Sequence, residues 1–103
     1  MSCQITSTII SGEVVIDLAG RFCFLEVTLR DQIQKLLEEG NNQFVLDLSN
    51  VSYLDSFGLG QLICIRTSIL QAGGYMKLLR PPGHVRKLLQ ITKLDAVFTI
   101  VNE

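Results

Sequence analysis

The chain alternates between two hydrophobic periods. Ile5-Thr6-Ser7-Thr8-Ile9-Ile10 has partial period-two character and predicts a half-buried strand. Ser11-Gly12-Glu13 supplies a turn, and Val14-Val15-Ile16-Asp17-Leu18-Ala19 predicts a second strand, near enough for an antiparallel hairpin. From Leu25 the period changes: Leu25, Leu29, Ile33, Leu36 and Leu37 fall on one helical face, with Arg30, Asp31, Gln34, Lys35 and Glu38 elsewhere. Gly40 is a left-handed stop. Phe44-Val45-Leu46-Asp47-Leu48 is apolar without alternation, as a strand buried on both faces would be. Leu59, Leu62, Ile63, Ile69 and Leu70 mark a second helix, closed by Gly73-Gly74. Tyr75 to Leu79 predicts a strand, Pro81-Pro82-Gly83 breaks the chain, Val85, Leu88 and Leu89 suggest a short helix, and Ala96 to Val101 predicts a last strand.

The predicted order is β-β-α-β-α-β-α-β. It calls for an α/β fold with a mostly parallel mixed sheet, right-handed crossovers and an N-terminal antiparallel edge hairpin. There is no internal repeat or linker, so residues 1–103 are expected to form a single domain, near the commonest domain size.

Composition narrows the function. With 48% hydrophobic and 18% charged residues the chain is neither disordered nor of low complexity. Nine Lys+Arg against ten Asp+Glu, with no basic block, argue against nucleic-acid binding, which needs clustered cations on phosphates. The run from Leu59 to Leu79 is broken by Arg66, Gly73, Gly74 and Lys77, so no membrane-spanning helix fits there. Met1-Ser2-Cys3-Gln4-Ile5 lacks the basic start and apolar stretch of a signal peptide, and a cytoplasmic protein is expected. Cys3, Cys23 and Cys64 are odd in number and widely spaced, unlike a disulfide framework or, with His84 alone beside them, a zinc site. Cys64, inside an apolar helix pattern, is expected to be a small core residue.

The informative stretch runs from Asp47 to Gly60, at the carboxyl end of a predicted parallel strand, where open α/β sheets place their sites. Asp55 or Ser56 can cap the second helix. Gly58 and Gly60 each cost about 1 kcal/mol relative to Ala in a helix. Two readings follow. The glycines let the helix pack closely on the sheet, or they let a partner or ligand approach the backbone. A phosphate on Ser56 would bring roughly −1.5 to −2 charges beside Asp55 and repel an acidic or apolar partner. Nucleophilic catalysis at Ser56 lacks a base other than His84, which more simply opens the third helix, and lacks a G-x-S-x-G elbow. Neither G-x-G-x-x-G nor a Walker loop occurs, and no cofactor is expected.

Asp55-Ser56-Phe57-Gly58-Leu59-Gly60 resembles the D-S-x-G-x-x motif of STAS domains, the family of bacterial anti-sigma factor antagonists and sulphate-transporter tails. Phe44-Val45-Leu46-Asp47-Leu48-Ser49-Asn50-Val51 looks like the family's strand and its D-L-S-x-V lead-in. Leu18-Ala19-Gly20-Arg21-Phe22 is similar to its L-x-G-R-hydrophobic step, Gly73-Gly74 to its helix end, and Leu79 through Leu89 to its late loop and short helix. The resemblance spans nearly the whole chain.

It implies a non-enzymatic switch protein. In stand-alone members the serine matching Ser56 is phosphorylated by a partner that is both anti-sigma factor and serine kinase. The unphosphorylated form binds that partner and frees a sigma factor, and a metal-dependent serine phosphatase restores it. The resemblance makes Ser56 the phosphorylation site and Asp55, Ser56, Phe57, Gly58, Leu59 and Gly60 the partner-binding surface. Asp47 matches a family acid close to the serine, with loop support as its other role. The alternative is a non-cycling regulatory or scaffold subunit of a transporter or signalling assembly. Two positions depart from the family pattern: Cys23 stands where many members have Asp or Asn, and Phe57 replaces a commonly small residue. Phe57 reads either as a partner anchor or as ordinary core.

Overall fold

A computed structural model describes residues 3–22 and 28–102. Among these residues the elements follow the predicted order: β1 (Cys3–Ile10), β2 (Glu13–Phe22), α1 (Thr28–Glu38), β3 (Gln43–Leu54), α2 (Ser56–Gln71), β4 (Tyr75–Leu79), α3 (Gly83–Ile91), a 3₁₀ turn (Leu94–Ala96) and β5 (Thr99–Val101). Leu25, the expected helix start, and Cys23 lie outside the described residues.

The sheet order β1-β2-β3-β4-β5 is the chain order. β1 and β2 pair antiparallel, and the remaining neighbours pair parallel, with Val15 opposite Val45 and Val45 opposite Lys77. The hairpin turn carries Ser11 at φ 53° and Gly12 at φ 83°. Two successive positive φ values give the twist that suits a tight antiparallel connection.

A sheet built in chain order moves one strand in the same direction at each crossover. With crossovers of one hand, every helix is delivered to the same face. The burial pattern agrees. Leu29 and Ile33 of α1, Leu59, Leu62, Ile65 and Ile69 of α2, and Val85 and Leu89 of α3 join one cluster with Val14, Ile16 and Leu18 of β2, Phe44, Leu46 and Leu48 of β3, and Met76 and Leu78 of β4. Val45 and Asp47, alternating with those β3 residues, are buried outside that cluster. The unbroken apolar run of β3 is therefore buried throughout, as its sequence predicts. Gly74 fixes the junction of α2 with the start of β3: a Cβ there would fall 1.7 Å from the Asn42 carbonyl oxygen, which accepts from the Tyr75 amide at 2.9 Å.

Three details differ from the sequence reading. β3 continues to Leu54, six residues past the expected end, because its pairing with β2 slips register between Asp17 and Ala19 and again between Gly20 and Arg21. Each slip resets the alternation from which a strand is recognised. The final strand is only Thr99–Val101. Before it, the amides of Val97 and Phe98 turn back to the Leu94 carbonyl, and Phe98 enters the core. Finally, Cys64 is exposed on α2 and is not a core residue. The side chains buried from α2 are Leu59, Leu62, Ile65 and Ile69, and Cys64 lies about 100° around the helix from Ile65, away from them.

Candidate functional site at the start of α2

Because β3 reaches Leu54, the expected loop before α2 shrinks to Asp55. Asp55 is extended (φ −104°, ψ −178°), and its Oδ1 accepts the Gly58 amide at 2.8 Å while its carbonyl accepts the Leu59 amide at 2.9 Å. Of the two capping candidates, Asp55 therefore takes the role, and Ser56 becomes the first helical residue. Ser56 is exposed, and among the described residues its hydroxyl makes no hydrogen bond. It stands at the positive end of the helix dipole. A carboxylate-capped helix start thus presents an uncommitted hydroxyl to solvent.

The next turn leaves apolar surface and open backbone at the protein's exterior. Phe57 is 63% exposed, which settles its orientation in favour of the surface. Gly58 and Leu59 are buried, with Leu59 in the core. Gly60 is half-buried, and a Cβ added there would meet nothing within 4 Å. Close packing among the described residues does not explain Gly60. Farther along the helix Ile63, Cys64, Thr67 and Leu70 are also exposed. The outward side of α2 is an uncharged, largely apolar stripe that begins at Ser56. Sequence reasoning missed Ile63 and Leu70 as surface residues, since a helix apolar on nearly every side gives no polar marker by which to phase it.

Asp47 sits elsewhere, opposite Asp17 of β2 and Leu79 of β4. Its Oδ1 accepts the Ser49 amide at 3.0 Å, and its Oδ2 accepts the Arg80 guanidinium at 2.7 Å. Burial opposes its charge, but the bonds from Ser49 and Arg80 outweigh that and hold its carboxyl below the ordinary value. The support Asp47 gives is to the corner after β4, and its hydrogen bonds do not reach residues 55–60. Arg80 is the partner that the sequence did not single out.

His84 opens α3 and is exposed. Among the described residues no group of three His, Cys, Asp or Glu side chains is placed to hold a metal ion, and no helix is long and apolar enough to cross a membrane.

The comparisons agree with this geometry. The STAS domain family model matches residues 4–103. A protein named as an anti-sigma factor antagonist in Thermotoga neapolitana is 38% identical over 66 residues, which are 64% of this chain and 58% of that protein. The chain thus spans under two-thirds of that relative's length. A STAS-domain containing protein of Pseudomonas aeruginosa is 32% identical across 85% of this chain and 87% of its own length. The crystal structure of a Thermotoga maritima protein, also named as an anti-sigma factor antagonist, superposes with a TM-score of 0.86 at 28% identity, covering 96% of this chain and 86% of that one. Sequence pattern, strand order and helix start therefore converge, and the chain belongs to the STAS domain family.

Proposed function

We propose that this chain is an anti-sigma factor antagonist whose partner binding is switched off by phosphorylation of Ser56. In this reading the unphosphorylated protein docks the start and outward stripe of α2 onto an anti-sigma factor that is also a serine kinase, and a sigma factor is released. The kinase transfers the γ-phosphoryl group of ATP to the Ser56 oxygen, the hydroxyl proton leaves, and ADP departs. A metal-dependent serine phosphatase returns the hydroxyl by hydrolysis. Action on sigma factors also implies a cytoplasmic setting.

The observation that carries this reading is the uncommitted, exposed Ser56 hydroxyl beside the Asp55 cap, at the head of an apolar stripe. Magnitudes decide what a phosphate would do. The helix end stabilises an anion by about 0.3–1 kcal/mol at an exposed site, so the fold survives. Desolvating the dianion in an interface, or placing it against acidic groups, costs several kcal/mol, so binding does not. The names of the relatives support an antagonist role.

The test is capture of an anti-sigma factor kinase from the native cells by the parent chain, Ser56→Ala and Ser56→Asp, together with a phosphopeptide map from the same cells. Ser56→Ala should bind and resist phosphorylation. Ser56→Asp should melt like the parent and fail to bind, and tight binding by it would sink the repulsion mechanism. The exposed stripe of α2 also suits a docking subunit that never cycles. A Ser56 peptide found unmodified in growth, starvation and stress would favour that second reading.

A further inference from the structure

A second surface lies beside the switch helix. The end of β3 and the outer side of α3 enclose an open groove of about 420 Å³, whose lining includes Tyr53, Leu54, His84, Lys87, Leu88 and Ile91. Ile91 is 69% exposed and Tyr53 is 39% exposed, so the apolar rim is left to solvent. The charge on this groove has one sign. Lys87 lines it, the Arg21 guanidinium stacks over the Tyr53 ring at 4.4 Å, and no acidic residue lines it. α3 itself carries Arg86 and Lys87 and no acid, in a chain whose nine Lys+Arg are outnumbered by ten Asp+Glu. Asp55, next to Leu54, has its Oδ1 bonded to the Gly58 amide.

We propose that this groove receives an acidic, apolar-anchored segment of the protein partner, with a Leu or Phe side chain between Tyr53 and Ile91 and flanking carboxylates on Lys87 and Arg21. An exposed apolar rim flanked by cations complements that chemistry and rejects a basic segment. The inference rests on the reading that the chain binds a protein partner, and it adds a reason for the switch. Leu54 lines the groove and Ser56 is two residues on, so a phosphate there would weaken the positive field that attracts the segment.

The experiment uses the unphosphorylated full chain, ¹⁵N-labelled, titrated with the capped peptide Glu-Leu-Phe-Asp-Glu and with the control Lys-Leu-Phe-Lys-Lys. The acidic peptide should shift the amides of Tyr53, Leu54, His84, Lys87, Leu88 and Ile91 in a saturable way. Its affinity should fall as salt rises from about 20 to about 300 mM. Lys87→Glu, an exposed substitution that leaves the core intact, should weaken binding by about tenfold. Equal binding of the basic control, or acidic-peptide shifts confined to other surfaces, would overturn the proposal. So would groove amides that move on dilution of the chain alone, since a second copy would then be the occupant. The assay involves no phosphate and no kinase. Loss of peptide binding together with a working Ser56→Asp switch would therefore remove the groove and leave the proposed function standing.

Discussion

The carboxylate of Asp47 and the guanidinium of Arg80 meet at 2.7 Å, one partner buried and the other half in solvent. Arg80 also holds φ 50°, and its amide donates to the Val101 carbonyl at 2.7 Å. The pair therefore locks a strained residue at the corner where β4 ends, β5 approaches and the chain turns into α3. A side chain in the left-handed region costs about 1 kcal/mol relative to Gly. Arg80→Ala removes the ion pair and keeps the strain, whereas Arg80→Gly removes the pair and relieves it. Arg80→Ala should lower stability by on the order of 1 kcal/mol, well below the figure for a fully buried pair because Arg80 is half-exposed. Arg80→Gly should lie closer to the parent. Urea denaturation checks the order, and a less stable Gly variant would mean the strain is not felt.

The same carboxylate makes stability depend on pH. Burial works against the charged form, the Ser49 and Arg80 bonds work for it, and the folded-state value is lowered. A carboxyl lowered on folding contributes stability that is fully present above its unfolded value of about 3.9. That contribution is lost as pH falls through the lower folded value. Melting temperatures measured between about pH 6 and pH 2 should therefore fall less steeply for Asp47→Asn than for the parent, although the variant starts from a lower value at neutral pH.

The Asp55 cap carries its own expectation. Replacing Asp55 by Ala leaves the Gly58 amide without its 2.8 Å acceptor at the start of α2. Loss of such a cap typically costs about 1 kcal/mol. Asp55→Asn, which keeps an acceptor oxygen, should recover most of it. Thermal melts of the two variants give the comparison. If Ala and Asn melt alike, the carboxylate does not cap the helix in solution.

Much of this architecture is readable from local pattern. The period change between Ala19 and Leu29, the stop at Gly40 and the Pro81-Pro82 break each report a boundary through nearest-neighbour physics. A cap at Asp55 or Ser56 is legible for the same reason, and the structure selects Asp55. What failed to show needs long-range information. The extension of β3 to Leu54 depends on register slips against β2, residues some thirty positions earlier. The exposure of Cys64 depends on which side of an all-round apolar helix meets the sheet. The tie between Asp47 and Arg80 joins residues 33 positions apart and exists only once β3 and β4 are in register.

Gly60 separates stability from binding. It lies within α2, and a Cβ added there would meet nothing within 4 Å. Gly in a helix costs about 1 kcal/mol relative to Ala, partly through the freedom it gives the unfolded chain. Gly60→Ala should therefore raise stability by about 0.5–1 kcal/mol, an increase that calorimetry resolves as a higher melting temperature. No contact among the described residues requires the glycine, which leaves its backbone open to approach from outside the chain. If a partner approaches the backbone one turn beyond Ser56, the added methyl group stands in the contact, and capture of the proposed anti-sigma partner should weaken while the fold gains. A variant that melts higher and binds unchanged would remove Gly60 from the proposed docking surface and confine that proposal to Ser56, Phe57 and the stripe beyond.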